Sequence, residues 1–216
     1  MFDAFLRRHA EQIKTTFVPF DAVDDYDACV DGKPRNDGTR SFLQARGITL
    51  PDGSPADSPD AAETVQGLGK RKNEIMLEMI RRDGVESYEG SVSYVRAVRE
   101  AGLRRAVVSS SKNCREVLAA AHIEDLFDAR IDGFVAEREH LQGKPAPDSF
   151  FVGASALGVA PWEAAVFEDA LAGVEAGSVG QFGLVVAVDR AGQADALRDH
   201  GADVVVSDVS ELLAGQ

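Results

Sequence analysis

The sequence predicts an α/β protein: a mostly parallel sheet covered by helices on both faces, preceded by a module built of helices alone. Two observations predict it. From residue 84 on, short apolar runs at 105–109, 164–167, 184–188 and 203–206, with a further short strand expected at 129–131, alternate with segments of helical periodicity. Strands that are apolar throughout and separated by helices belong to parallel sheets buried on both sides. Before residue 84, apolar residues recur only at helical spacing, and nothing alternates with a period of two. The chain therefore divides into a helical module at 1–83 and an α/β module at 84–216.

The elements follow in order. Phe2, Phe5 and Leu6 form one face of a first helix, with Arg7, Arg8 and Glu11 between them. A loop rich in Asp, Gly and Pro spans 21–38, and a short helix at 39–46 is stopped by Gly47. A second loop carries Pro51, Gly53, Pro55 and Pro59. A longer helix covers 61–82, interrupted near Gly67 and Gly69. In the second module, helices are expected at 91–101 (closed by Gly102), 112–121, 148–157 (closed by Gly158), 171–176 and 193–200. Pro147 and Asp148 suit a first helical turn.

Composition bounds the function. With 216 residues and 44% hydrophobic content, the chain can bury a core without disulfide staples. Its 36 acidic against 23 basic residues, a net charge of −13, disfavour nucleic acid and anionic membrane as partners, since both demand clustered Lys and Arg. Cys29 and Cys114 form no C-x-x-C pair, and His9, His122, His140 and His200 have no metal-ligand spacing and read as surface residues. No apolar run is long enough for a bilayer span and the N-terminus lacks a signal-peptide pattern, so a cytoplasmic protein is expected.

In an open parallel sheet, ligands bind at the carboxyl ends of the strands, so chemistry is sought directly after the apolar runs. Three places qualify. Val107-Val108-Ser109-Ser110-Ser111-Lys112-Asn113 ends a strand in hydroxyls and starts a helix, where free amides and an ammonium can hold phosphate. Ser110 or Ser111 as a simple helix cap is the other reading. Gly143-Lys144-Pro145-Ala146-Pro147-Asp148 fixes a lysine in a stiff loop, as a counter-charge to phosphate or carboxylate, or as a solvated turn. Glu168 and Asp169 stand together at a strand end, where mutual repulsion calls for a cation such as Mg²⁺; an acidic helix cap is the alternative.

In this order and spacing, S-S-S-K-N, G-K-P-A-P-D and F-E-D-A-L-A-G-V-E-A-G resemble the haloacid dehalogenase superfamily, and within it the β-phosphoglucomutase-like branch. The resemblance covers nearly the whole chain. Residues 1–83 are similar to that branch's helical cap, including Val30-Asp31-Gly32-Lys33-Pro34-Arg35 and Gly69-Lys70-Arg71-Lys72-Asn73. It implies a Rossmann-like core and roles residue by residue. Ser109 would bind the transferring phosphoryl group and Lys144 would neutralise it. Glu168 and Asp169 would position Mg²⁺. Ser111, Lys112 and Asn113 would grip a second, non-transferring phosphate, and Arg35 and Lys72 would reach the sugar phosphate. A second phosphate site favours a mutase that interconverts β-glucose 1-phosphate and glucose 6-phosphate over a small-metabolite phosphatase. The expected partner is a phosphorylated sugar, and a monomer is the expected state.

The family's first motif, an apolar strand ending in D-x-D, has no match. Asp3 follows only Met1 and Phe2; Asp24, Asp25, Asp27 and Asp37 stand in polar, turn-like surroundings. The resemblance puts that strand in the middle of the sheet, so the expectations are a sheet lacking its central strand, a true start upstream of Met1, and little phosphoryl transfer by these residues alone. A non-catalytic remnant is the corresponding alternative.

Overall fold

A computed structural model describes residues 1–59 and 63–213. The chain separates into two compact units, one of Met1–Asp31 with Arg35–Asp83, the other of Gly32–Pro34 with the chain from Gly84 on.

In the first unit, the helical face of Phe2, Phe5 and Leu6 opens helix α1 (Phe2–Ile13) and is buried. It meets Phe42 and Leu43 of α3 (Arg35–Ala45) and Val65 and Leu68 of α4 (Val65–Asp83) in one cluster. The Phe2 and Phe42 rings lie 4.4 Å apart and Phe20 closes on both. Side chains of this size contribute roughly 2–3 kcal/mol each when fully buried. The expected loop at 21–38 holds a helix, α2 (Asp24–Cys29). The Asp21 carboxylate accepts from the Val23 and Asp24 amides, and Asp24, Asp25 and Asp27 sit in the first turn, where the helix dipole favours negative charge. α3 begins at Arg35 rather than residue 39. α4 runs unbroken through Gly67 and Gly69, and residues 61–62 of the expected helix lie outside the described residues. Gly69 sits at a close approach: a Cβ there would lie 2.6 Å from Asn36 Oδ1 and 3.3 Å from Arg35 Cδ, so both side chains would have to give way.

The second unit starts with α5 (Glu89–Glu100) and continues β1 (Ala106–Val108), α6 (Cys114–Ala120), β2 (Ala129–Ile131), α7 (Gly133–Arg138), α8 (Asp148–Leu157), β3 (Ala165–Glu168), α9 (Leu171–Val179), β4 (Leu184–Val188), α10 (Ala194–Asp199) and β5 (Val204–Val206). Every pairing is parallel, with Ala106 opposite Ala129, Ala165 opposite Leu184 and Val186 opposite Val204. The six-residue α7 was not expected; Asp132 caps it by accepting from the Phe134 and Val135 amides. β4 is central in its sheet, and Val185, Val186 and Ala187 are fully buried.

The described strands form two sheets, β1-β2 and β3-β4-β5. β1 and β3 are therefore each unpaired on one edge among the described residues. Yet Val108 of β1 and Val166 of β3 pack into one apolar cluster with Phe150 of α8 and Ala176 of α9. Unpaired edges held over a common core are positions where another strand can add.

Candidate active site

The carboxyl ends of β1 and β3 carry the side chains that the strand-end rule singles out. β3 ends at Glu168. Its carboxylate takes an ion pair from Lys144 Nζ, and the two side chains are 10% and 5% exposed. Lys144 stands in the loop before α8, next to a cis Lys144–Pro145 peptide. Its ammonium also lies 4.8 Å from the centre of the Phe150 ring. The same carboxylate accepts weakly from the Ala170 amide, 3.4 Å away, and lies over the first turn of α9. Gly173 makes room for it: a Cβ there would come within 2.2–2.5 Å of the carboxylate atoms. Asp169, next in the chain, is exposed.

The loop after β1 folds on itself. Ser109 is tied to β2 by its amide, which donates to Ile131 O at 2.8 Å. Ser109 Oγ accepts from the Ser111 amide (3.2 Å), and Ser111 Oγ accepts from the Asn113 amide (3.1 Å). Ser110 Oγ donates to Gly32 O (2.8 Å). The residue at the cap of α6 is the buried Asn113, so neither Ser110 nor Ser111 is the helix cap. Lys112 turns outward to Glu137 of α7, Nζ to Oε2 2.8 Å, and lies 5.5 Å from the centre of the Phe134 ring. That partner holds the Glu137 carboxyl below the usual carboxylate range.

Behind the loop, Asp132 is 4% exposed and accepts from Arg130 Nε (3.0 Å) as well as from the α7 amides. Cys114 lies in this surrounding; burial, and next the Asp132 charge, push its thiol up to about 11. Asp132 and Glu137 were not among the sequence candidates. Asp132 had a related signal, a carboxylate directly after the strand expected at 129–131. Glu137 had none, because the unexpected α7 carries it.

Arg35 and Lys72 belong to the helical unit. Arg35 Nη2 donates to Asn73 Oδ1 (2.7 Å), and Lys72 Nζ lies 5.7 Å from the Tyr26 ring centre. Burial lowers the Arg35 guanidinium from its ordinary value. Burial and then the Arg35 charge lower the Lys72 ammonium, with Asp31 opposing. Mutual repulsion between two desolvated cations is relieved by an anion.

Residues 3–180 match the haloacid dehalogenase-like hydrolase family. The chain belongs to that family. It is 55% identical over 216 residues to proteins called beta-phosphoglucomutase in Mycobacterium bovis and Mycobacterium tuberculosis, covering 99% of this chain and 82% of each of theirs. The fold is similar to that of a beta-phosphoglucomutase from Clostridium difficile (TM-score 0.73, 22% identity, 95% of this chain and 82% of that one). It is also similar to a hydrolase from Pseudomonas syringae (TM-score 0.73, 16% identity, 98% and 88%). Membership in the haloacid dehalogenase family and the mycobacterial relatives make this chain a phosphosugar mutase or phosphatase of that family.

Among the described residues no helix is long and apolar enough to cross a membrane, and no three His, Cys, Asp or Glu side chains gather around a common point. The donors at the β3 end are two adjacent carboxylates. Mg²⁺ suits such a set, since it is held by one or two carboxylates and completes its octahedron with water and substrate phosphate.

Proposed function

We propose that the chain is a Mg²⁺-dependent phosphosugar mutase of the β-phosphoglucomutase type, converting β-glucose 1-phosphate to glucose 6-phosphate through a bisphosphate. The observation that supports this best is the separation of two ammonium groups in one unit. Lys144 faces Glu168 at the end of β3, while Lys112, on the loop after β1, faces Glu137 on α7. A phosphatase needs one cationic phosphate site; a mutase holds its intermediate at both ends.

In this reading Ser109 binds the transferring phosphoryl group and Lys144 offsets its charge. Ser111, Lys112 and Asn113 hold the phosphate that stays, and Arg35 and Lys72 supply the anion-seeking cations of the helical unit. Glu168 and Asp169 would hold Mg²⁺, which when bound supplies charge neutralisation at the phosphoryl oxygens. Asp169, being exposed, is the freer donor. The chemistry also calls for an attacking carboxylate. Among the described residues, β1 and β3 each keep one unpaired edge beside the Lys144–Glu168 end of the sheet.

The second reading, a phosphatase of the same family, is favoured by one feature: Lys112 is already ion-paired. Lys112→Ala separates the two in the native protein. A mutase loses at least tenfold in glucose 6-phosphate formation, with phosphate release rising relative to it. Hydrolysis unchanged by the substitution supports the phosphatase.

A further inference from the structure

Helix α7 is fastened to the loop that carries Lys112. The Gly133 amide donates to Ser111 O (3.1 Å). A Cβ on Gly133 would lie 2.8 Å from Lys112 Cγ, 2.9 Å from Lys112 N and 2.9 Å from Ser110 O. Glycine therefore permits backbone contact between the start of α7 and Lys112 itself. Asp132 holds that start in place, with its carboxylate buried under two α7 amides and Arg130. One turn further on, Glu137 meets the Lys112 ammonium, and Phe134 offers its ring face beside it. The pair is thus placed by backbone geometry.

We propose that Glu137 tunes substrate affinity: it competes with substrate phosphate for the Lys112 ammonium and sets how tightly the non-transferring phosphate is held. This inference rests on the mutase reading. Lys112 is 38% exposed and Glu137 66%, so the pair is a surface ion pair, weak enough for a phosphate dianion to displace. A carboxylate beside that phosphate also repels it. Such a competitor has a use in a mutase. The bisphosphate must leave this grip and turn round before the second transfer, and a lysine with no alternative partner would hold it too long. When the phosphate leaves, the ammonium returns to Glu137 and the Phe134 ring.

The test is calorimetric titration of the 216-residue chain with glucose 6-phosphate, comparing wild type, Glu137→Gln, Glu137→Asp, Lys112→Ala and the double variant Lys112→Ala/Glu137→Gln. Removing a pair of this exposure is expected to tighten binding about 2- to 5-fold. Glu137→Gln should show this gain, Glu137→Asp should stay near wild type, and the gain should vanish when Lys112 is absent. In turnover assays Glu137→Gln should lower KM and kcat together, a split that loss of structure does not produce. Wild-type affinity in Glu137→Gln, or weaker binding, while Lys112→Ala still weakens binding, overturns the role of Glu137 and leaves the second phosphate site standing. Binding that is absent, or indifferent to Lys112→Ala, overturns both.

Discussion

Lys144 and Glu168, 24 residues apart in the chain, meet as an almost fully buried ion pair at the carboxyl end of β3. The ammonium rests on the Phe150 ring and the carboxylate over the start of α9. Two desolvated charges in mutual contact tolerate each other; either one alone does not.

Lys144→Met or Glu168→Gln is therefore expected to lower stability by about 3–5 kcal/mol, because each leaves one buried group without its counter-charge or strong acceptor. The double variant should recover most of that loss, since both charges are gone. Urea unfolding of the four proteins checks it. Single losses below about 1 kcal/mol would mean the pair is solvated like a surface pair.

Gly173 tests the same pair from the other side. Gly→Ala inside a helix ordinarily gains about 0.5–1 kcal/mol. Here the new methyl would occupy the place of the Glu168 carboxylate and turn it off Lys144. Gly173→Ala should destabilise the wild type and be neutral or stabilising in a Glu168→Ala background. A double-mutant cycle in urea reads the coupling; equal effects in both backgrounds contradict it.

Cys114 gives the pH dependence. Its thiol is pushed up to about 11 by burial and the Asp132 charge, against 9.0 when free. The unfolded chain releases this proton first, so the group's contribution to stability is intact below pH 9 and is lost as pH rises toward 11. In a Cys29→Ser background, alkylation by iodoacetamide at pH 9 should be at least tenfold slower in the folded protein than in urea. Equal rates would show an exposed, ordinary thiol.

Much of the fold was legible because it was long or punctuated. β2, α8 and β4 lie where the sequence put them: β4 as an uninterrupted apolar run, α8 as a helix bracketed by Pro147 and Gly158, and β2 as a short strand between helical segments. The helices α2 and α7 were not legible. Both are six residues long and set among polar loop residues, so neither shows an apolar face; α2 follows a turn closed by the Asp21 carboxylate and α7 a cap from Asp132, signals that polar loops also show. α4 was read as broken because Gly67 and Gly69 look like helix breakers, whereas Gly69 is the clearance between α3 and α4. Of the candidate site residues, the positions of Ser109 and Glu168 at strand ends and of Lys144 in a proline-stiffened loop were legible from the runs around them. Glu137 was hidden, since its place beside Lys112 depends on the backbone contact at Gly133.

The central claim is that this site moves a phosphoryl group between two positions of one sugar. The most direct measurement is the product formed by the native protein from β-glucose 1-phosphate with Mg²⁺ and a trace of the bisphosphate, followed by a glucose 6-phosphate-coupled assay alongside inorganic phosphate release. The mutase reading predicts glucose 6-phosphate as the main product, with little free phosphate. Free phosphate and glucose without glucose 6-phosphate would contradict it.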